Sequence, residues 1–182
     1  MQTVFYKGYF KNKLRDEIRL WINLHKEQLI GSAIFTKGTT LGAKIVTWAE
    51  GWTCPNKKGF CPSHTGSIVE RDGELLIFDM KPPRASVQSL EKYLWATDED
   101  FILLLRDFGL DTKMFSKTIL DHEGQGYPYM SAIRSVFTKR TTKWKNHCSE
   151  LHLRKLQLQG IYPNVNAEIT PDELLHLMIG EG

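Results

Sequence analysis

The clearest pattern along the chain is a pair of apolar runs in "HTGSIVERDGELLIFDM", His64 to Met80, separated by a polar center. The Arg-Asp-Gly between them favours positive φ, so the stretch predicts a β-hairpin. Upstream, Leu14, Ile18, Trp21, Ile22 and Leu29 recur at roughly helical spacing and predict an amphipathic helix over residues 13–29. "SAIFTKG" predicts a strand. "LGAKIVTWAEGW" fits a short helix or a strand entering an irregular loop, where Pro55, Gly59 and Pro62 argue against regular structure. Downstream, "SVQSLEKYLW" and "DEDFILLLRDFGL" read as helices, the second with Asp98 as N-cap and acids in its first turn. "YPYMSAIRSVF" is short and fits either state. The segment from Cys148 to Gln159 predicts a helix with Gly160 as its C-cap, and "TPDELLHLM" a last helix capped by Thr170 with Pro171 at its first position.

Few strands flanked by helices give an α+β class, a small antiparallel sheet packed against helices. The 182 residues suffice for one domain with a real core and fall short of two ordinary ones. No repeat, low-complexity tract or Gly/Ser/Pro linker divides them. The expectation is one domain over residues 1–182, with residues 1–29 as an N-terminal helical extension.

Composition excludes some classes. Hydrophobic residues at 41% and charged residues at 25% are ordinary soluble usage, which argues against disorder and against a membrane protein. No run approaches bilayer length, and "MQTVFYKGYFKNKLRDEIRL" has no apolar core or cleavage site of an export signal. No membrane span is expected, and the chain reads as cytoplasmic, or as a phage virion-associated protein delivered by another route. The net charge of +3 is unevenly spread. Lys139, Arg140, Lys143, Lys145, Arg154 and Lys155 surround Cys148, while Asp98, Glu99, Asp100, Asp107 and Asp111 form an acidic pole. The basic patch and Trp144 raise a nucleic-acid-binding module, but +3 overall and the lack of a reader motif argue against it.

Three cysteines cannot all pair within one chain. Cys54 and Cys61 are close enough in "CPNKKGFC" for a small-loop disulfide, and a reducing cytosol would keep them as thiols. Cys54, Cys61 and His64 also raise a zinc site. Structural zinc sites place cysteines closer together and in matching pairs, so neither a metal nor another cofactor is expected.

Cys148 starts a predicted helix, where unpaired N–H groups and the helix dipole favour a thiolate. Its own amide would face a developing oxyanion. The competing reading is a cysteine that simply packs, as buried cysteines commonly do. A nucleophile needs a base. His147 is adjacent in sequence, and His152 sits one turn deeper along the helix. His25 and His176 lie on amphipathic helices, and His122 falls in a Gly-rich loop. His64 remains, at the start of the first hairpin strand among the small residues Ser63, Thr65 and Gly66. Hairpin pairing brings the end of the return strand beside it, so Asp79 in "LLIFDM" is placed to orient the imidazole, or else simply caps that strand.

The order of a strand histidine, an acid on the next strand and a "CSEL" helix start resembles the circularly permuted papain-like thiol hydrolases of the YiiX type, relatives of the NlpC cell-wall peptidases. "IGSAIFTKG" looks like that family's Gly-Asp-Ile-Ile-Phe strand, "SHTGSIV" like its Ser-His-Val-Gly-Ile-Val and "LLIFDM" like its Val-Ile-Glu-Ala. "GYPYMSAI", "NHCSELHLRKLQLQGI" and "ITPDELL" resemble its later segments. The resemblance implies a permuted papain-like fold with Cys148 as nucleophile, His64 as base and acid, and Asp79 as the orienting residue. Ser63, small and beside His64, and Tyr129 are the expected substrate-contact residues. The implied activity is amide hydrolysis in peptidoglycan stem peptides or an isopeptide link, with an inactive or lipid- and ester-acting member as the alternative. Asp79 is one methylene shorter than the family's usual glutamate, Ser32 stands where an aspartate is common, Met130 where an acid is common, and "EGWTCPNKKGFC" is a longer insertion.

Overall fold

A computed structural model of the chain describes residues 2–37, 60–81, 83–126 and 148–180. Among these, a six-stranded antiparallel sheet is accompanied by seven helices, an α+β arrangement. The strands are β1 (Gln2–Tyr6), β2 (Ala33–Lys37), β3 (His64–Arg71), β4 (Glu74–Lys81), β5 (Arg84–Ser89) and β6 (Asp100–Arg106), in the spatial order β1-β6-β2-β3-β4-β5. The helices are α1 (Lys7–Phe10), α2 (Arg15–Leu24), α3 (Lys26–Leu29), α4 (Leu90–Ala96), α5 (Thr112–Leu120), α6 (Cys148–Gln157) and α7 (Pro171–Ile179). No helix among the described residues is long and apolar enough to cross a membrane.

The hairpin forms where the pattern places it. Asp72 and Gly73 turn the chain with φ of 51° and 85°, both positive as a two-residue primed turn requires. The register that follows sets Ile68 opposite Ile77, Gly66 opposite Asp79 and Arg71 opposite Glu74.

The "FILLL" segment, expected as part of a helix, is instead strand β6. All five residues are buried, which a helix covered on one face could not achieve. β6 lies between β1 and β2, and its side chains alternate between two apolar clusters. Phe101, Leu103 and Leu105 join Phe10, Ile18 and Trp21 of the N-terminal helices. Ile102 and Leu104 join Leu153 of α6 and Leu174 and Met178 of α7. The sheet is larger than expected for the same reason: an apolar run buried on both faces carries no alternation to betray it.

Two further expectations change. "SVQSLEKYLW" divides into β5, paired with β4, and the short helix α4. The first 29 residues are not wholly helical, because Gln2–Tyr6 pairs with β6 as an edge strand. The predicted helix over residues 13–29 is interrupted at His25, whose φ of −112° separates α2 from α3 while its ring stacks on Trp21. Helix α5, begun by Asp111 accepting from the Met114 amide, has no counterpart in the sequence expectations. α7 follows its expected start, with Thr170 and Glu173 exchanging hydrogen bonds. The segments around "LGAKIVTWAEGW", Cys54, "YPYMSAIRSVF" and most of the basic patch lie outside the described residues.

Candidate active site

The site is built by the hairpin and the start of α6. His64 opens β3, and Asp79 stands near the end of β4, opposite Gly66 and so one strand pair away from His64 on the same face of the hairpin. The carboxylate crosses the gap because Gly66 has no side chain. A Cβ built there would lie 3.0 Å from Asp79 Oδ1 and 2.8 Å from the Ile77 Cγ2 methyl. His64 Nε2 meets Asp79 Oδ1 at 2.9 Å, with both groups buried. A carboxylate only accepts, so Nε2 carries the hydrogen and Nδ1 is left for the third partner.

That partner is Cys148. Its thiol and the His64 ring share a hydrogen bond and a charge interaction, and the backbone amides of Thr65 and Ser149 add hydrogen bonds to the sulfur. Burial is the largest influence on Cys148 and opposes its ionisation, but the His64 charge and these donors together hold the thiol below its ordinary range. For His64, burial is again largest and opposes the charge. Cys148 and Asp79 override it and raise the imidazole to about 9. Both shifts favour one state, a thiolate beside an imidazolium. Cys148 and His64 keep 9% and 8% of their surfaces exposed, which sets them just under the surface, in contrast to the fully buried Leu153 and His152.

Asp79 is in turn fixed. Gln88 Nε2 of β5 donates to its Oδ2 at 3.2 Å, and Lys81 Nζ lies 3.6 Å from the same oxygen. Burial opposes its charge most, yet the His64, Lys81 and Gln88 contacts hold the carboxyl below the usual carboxylate range. Neither Gln88 nor Lys81 was among the expected site residues. For Gln88 the signal is the strand β5, whose register sets it opposite Ile77 and which a helical reading of that segment hides; Lys81 lies on β4 itself, two residues past Asp79.

The other candidates separate clearly. Ser63 is half-buried beside His64, its amide bonded to the Thr36 carbonyl. Tyr129, Cys54 and His147 lie outside the described residues. His152 is buried and shares a 2.8 Å hydrogen bond with Ser67 Oγ through Nδ1, which ties α6 to β3. Ser32, at the position where the resembled family often has an aspartate, donates to the Gln28 carbonyl and accepts from the Arg106 amide, a packing role. His64 already faces Asp79 and Cys148, and no cluster of metal-ligating side chains occurs among the described residues.

Gly66→Ala is expected to cost about 1–3 kcal/mol in urea unfolding, since the new methyl displaces Ile77 or the Asp79 carboxylate. Unfolding midpoints of the two proteins check this, and an unchanged midpoint would mean that the close approach at Gly66 is not tight.

Chemically, the arrangement provides an activated sulfur, a ring able to take and return a proton, and a carboxylate that fixes the ring's tautomer. No protein-family model and no curated protein matches the chain.

Proposed function

We propose that the protein is a cysteine hydrolase that cleaves an amide bond, with a permuted papain-like fold. The observation that carries this reading is the unbroken contact from Cys148 through His64 to Asp79 at the start of α6. The base precedes the nucleophile in the chain, as in the permuted family that the sequence resembles. In the first half-reaction the Cys148 thiolate attacks the carbonyl carbon, and the His64 imidazolium gives its proton to the departing amine. In the second, a water molecule loses a proton to His64 and attacks the thioester, releasing the acid and restoring the thiolate beside the imidazolium. Amides of the Cys148 helix start are suited to the oxyanion formed in each step. The resemblance makes peptidoglycan stem peptides the first substrate, with isopeptide links next.

The test is incubation with soluble peptidoglycan fragments and a panel of isopeptide, ester and thioester compounds, with products identified by mass spectrometry. The expected result is a new amine and a new carboxylate from an amide substrate, both lost in Cys148→Ala. Turnover of esters or thioesters alone would replace the amidase assignment with an acyl-hydrolase one. No turnover of any class, with Cys148 reacting as an ordinary thiol, would overturn the enzyme reading.

A further inference from the structure

Behind Asp79 the polar contacts continue in a direction that the hydrolysis itself does not use. Lys81, two residues beyond Asp79 on β4, places its ammonium 3.6 Å from Asp79 Oδ2 but 3.0 and 3.3 Å from the two oxygens of Glu99. Glu99, just before β6, also accepts from the Tyr93 hydroxyl of α4 at 3.3 Å, and its own amide donates to Thr97 Oγ1. Lys81 is thus shared between two carboxylates, and the nearer one is not the one that holds His64.

We propose that Lys81 and Glu99 form a charge clamp behind Asp79, in which Glu99 draws the ammonium away so that Asp79 keeps its pull on His64, making both of them positioning residues for the Cys148 site. The inference rests on His64 being the base.

The sign follows from the contacts. The charged and titratable groups facing Asp79 are His64 from β3 and Lys81 from its own strand, with Cys148 of α6 beyond His64, Glu99 and Tyr93 beyond Lys81, and neutral Gln88 on β5. If Glu99 becomes neutral, the ammonium is free to close on Asp79 and compete with His64 for it. The imidazolium then gives up its proton at lower pH. If Lys81 is removed, Asp79 faces His64 without a competing cation, and the proton is held to higher pH. Two substitutions in one ion pair therefore move His64 in opposite directions. A pair that served only to hold β4 against the segment before β6 would change unfolding and leave the His64 titration where it was.

The experiment is a pH titration of ring nitrogen shifts in protein labelled with ¹⁵N-histidine, His64 being assigned by its loss in His64→Ala. In Glu99→Gln the His64 midpoint is expected to fall by roughly half a pH unit, in Lys81→Met to rise by about as much, and in Lys81→Arg to stay close to the parent value. Thermal melts of each variant accompany the titration, so that only folded variants are compared. Shifts in the same direction, or none, would overturn the clamp. A parent His64 that titrates in the ordinary histidine range and does not respond to Cys148→Ala would instead overturn the base assignment beneath it.

Discussion

Replacing His64 by alanine is expected to slow alkylation of Cys148 by iodoacetamide at pH 6 by about 10- to 100-fold. In the parent protein the thiolate is favoured, because the imidazolium beside it outweighs the burial that opposes its charge and holds the thiol below its ordinary range. Without the ring, burial acts alone and the thiol returns to its ordinary range or above it, leaving well under one per cent ionised at pH 6. The lower nucleophilicity of a low-pKa thiolate takes back part of that factor, which is why the expected ratio is smaller than the ratio of thiolate fractions. The shape of the profile is more telling than its height. The parent rate should rise less steeply between pH 6 and 8 than an ordinary thiol's, because the thiol is held low while the imidazole beside it keeps its proton up to about 9. The variant rate should climb close to tenfold per pH unit. Peptide mass spectrometry of the Cys148 peptide across pH reads both, and parallel profiles in the two proteins would show that the ring does not activate the sulfur.

The residues of this centre were more legible in the sequence than the sheet that holds them. His64, Asp79 and Cys148 could be singled out as candidates because each lies at or near an element end with a local signature, a hairpin turn of two positive-φ residues between the first two and a polar run giving way to a helix at the third, and the family resemblance joined them into one site. Such signals depend on a few neighbouring residues. β6 depends on what covers it from both sides, and "FILLL" is the same string whether it becomes a buried helix or a central strand. The misreading of β6 and β5 had a consequence at the site itself. With "SVQSLEKYLW" read as helix from Ser86 on, no third strand lays Gln88 across Asp79, and with "DEDFILLLRDFGL" read as helix, Glu99 has no reason to sit beside Lys81. Long-range pairings set these second contacts, and one sequence carries no local trace of them.

His152 shows how the same helix that presents Cys148 sets an acid limit on the fold. Between pH 7 and 4.5 the parent protein is expected to lose about 2 kcal/mol more stability than His152→Asn. The imidazole is fully buried between Ser67 and the edge of Phe115, and burial lowers it to about 4. In the unfolded chain it takes up a proton near 6.5. Below that pH the unfolded state binds a proton that the folded state refuses, so this residue's contribution falls as pH drops from 6.5 toward 4 and levels off beneath it. Asparagine replaces the Nδ1 contact to Ser67 without a titrating ring, so the variant loses less on acidification whatever its stability at pH 7. Carboxylates held low in the fold, Asp79 and Glu91, also lose their contributions in acid, but they are present in both proteins and cancel in the comparison. Urea unfolding at the two pH values measures the difference, and equal losses would mean that His152 takes up its proton inside the folded protein as readily as outside it.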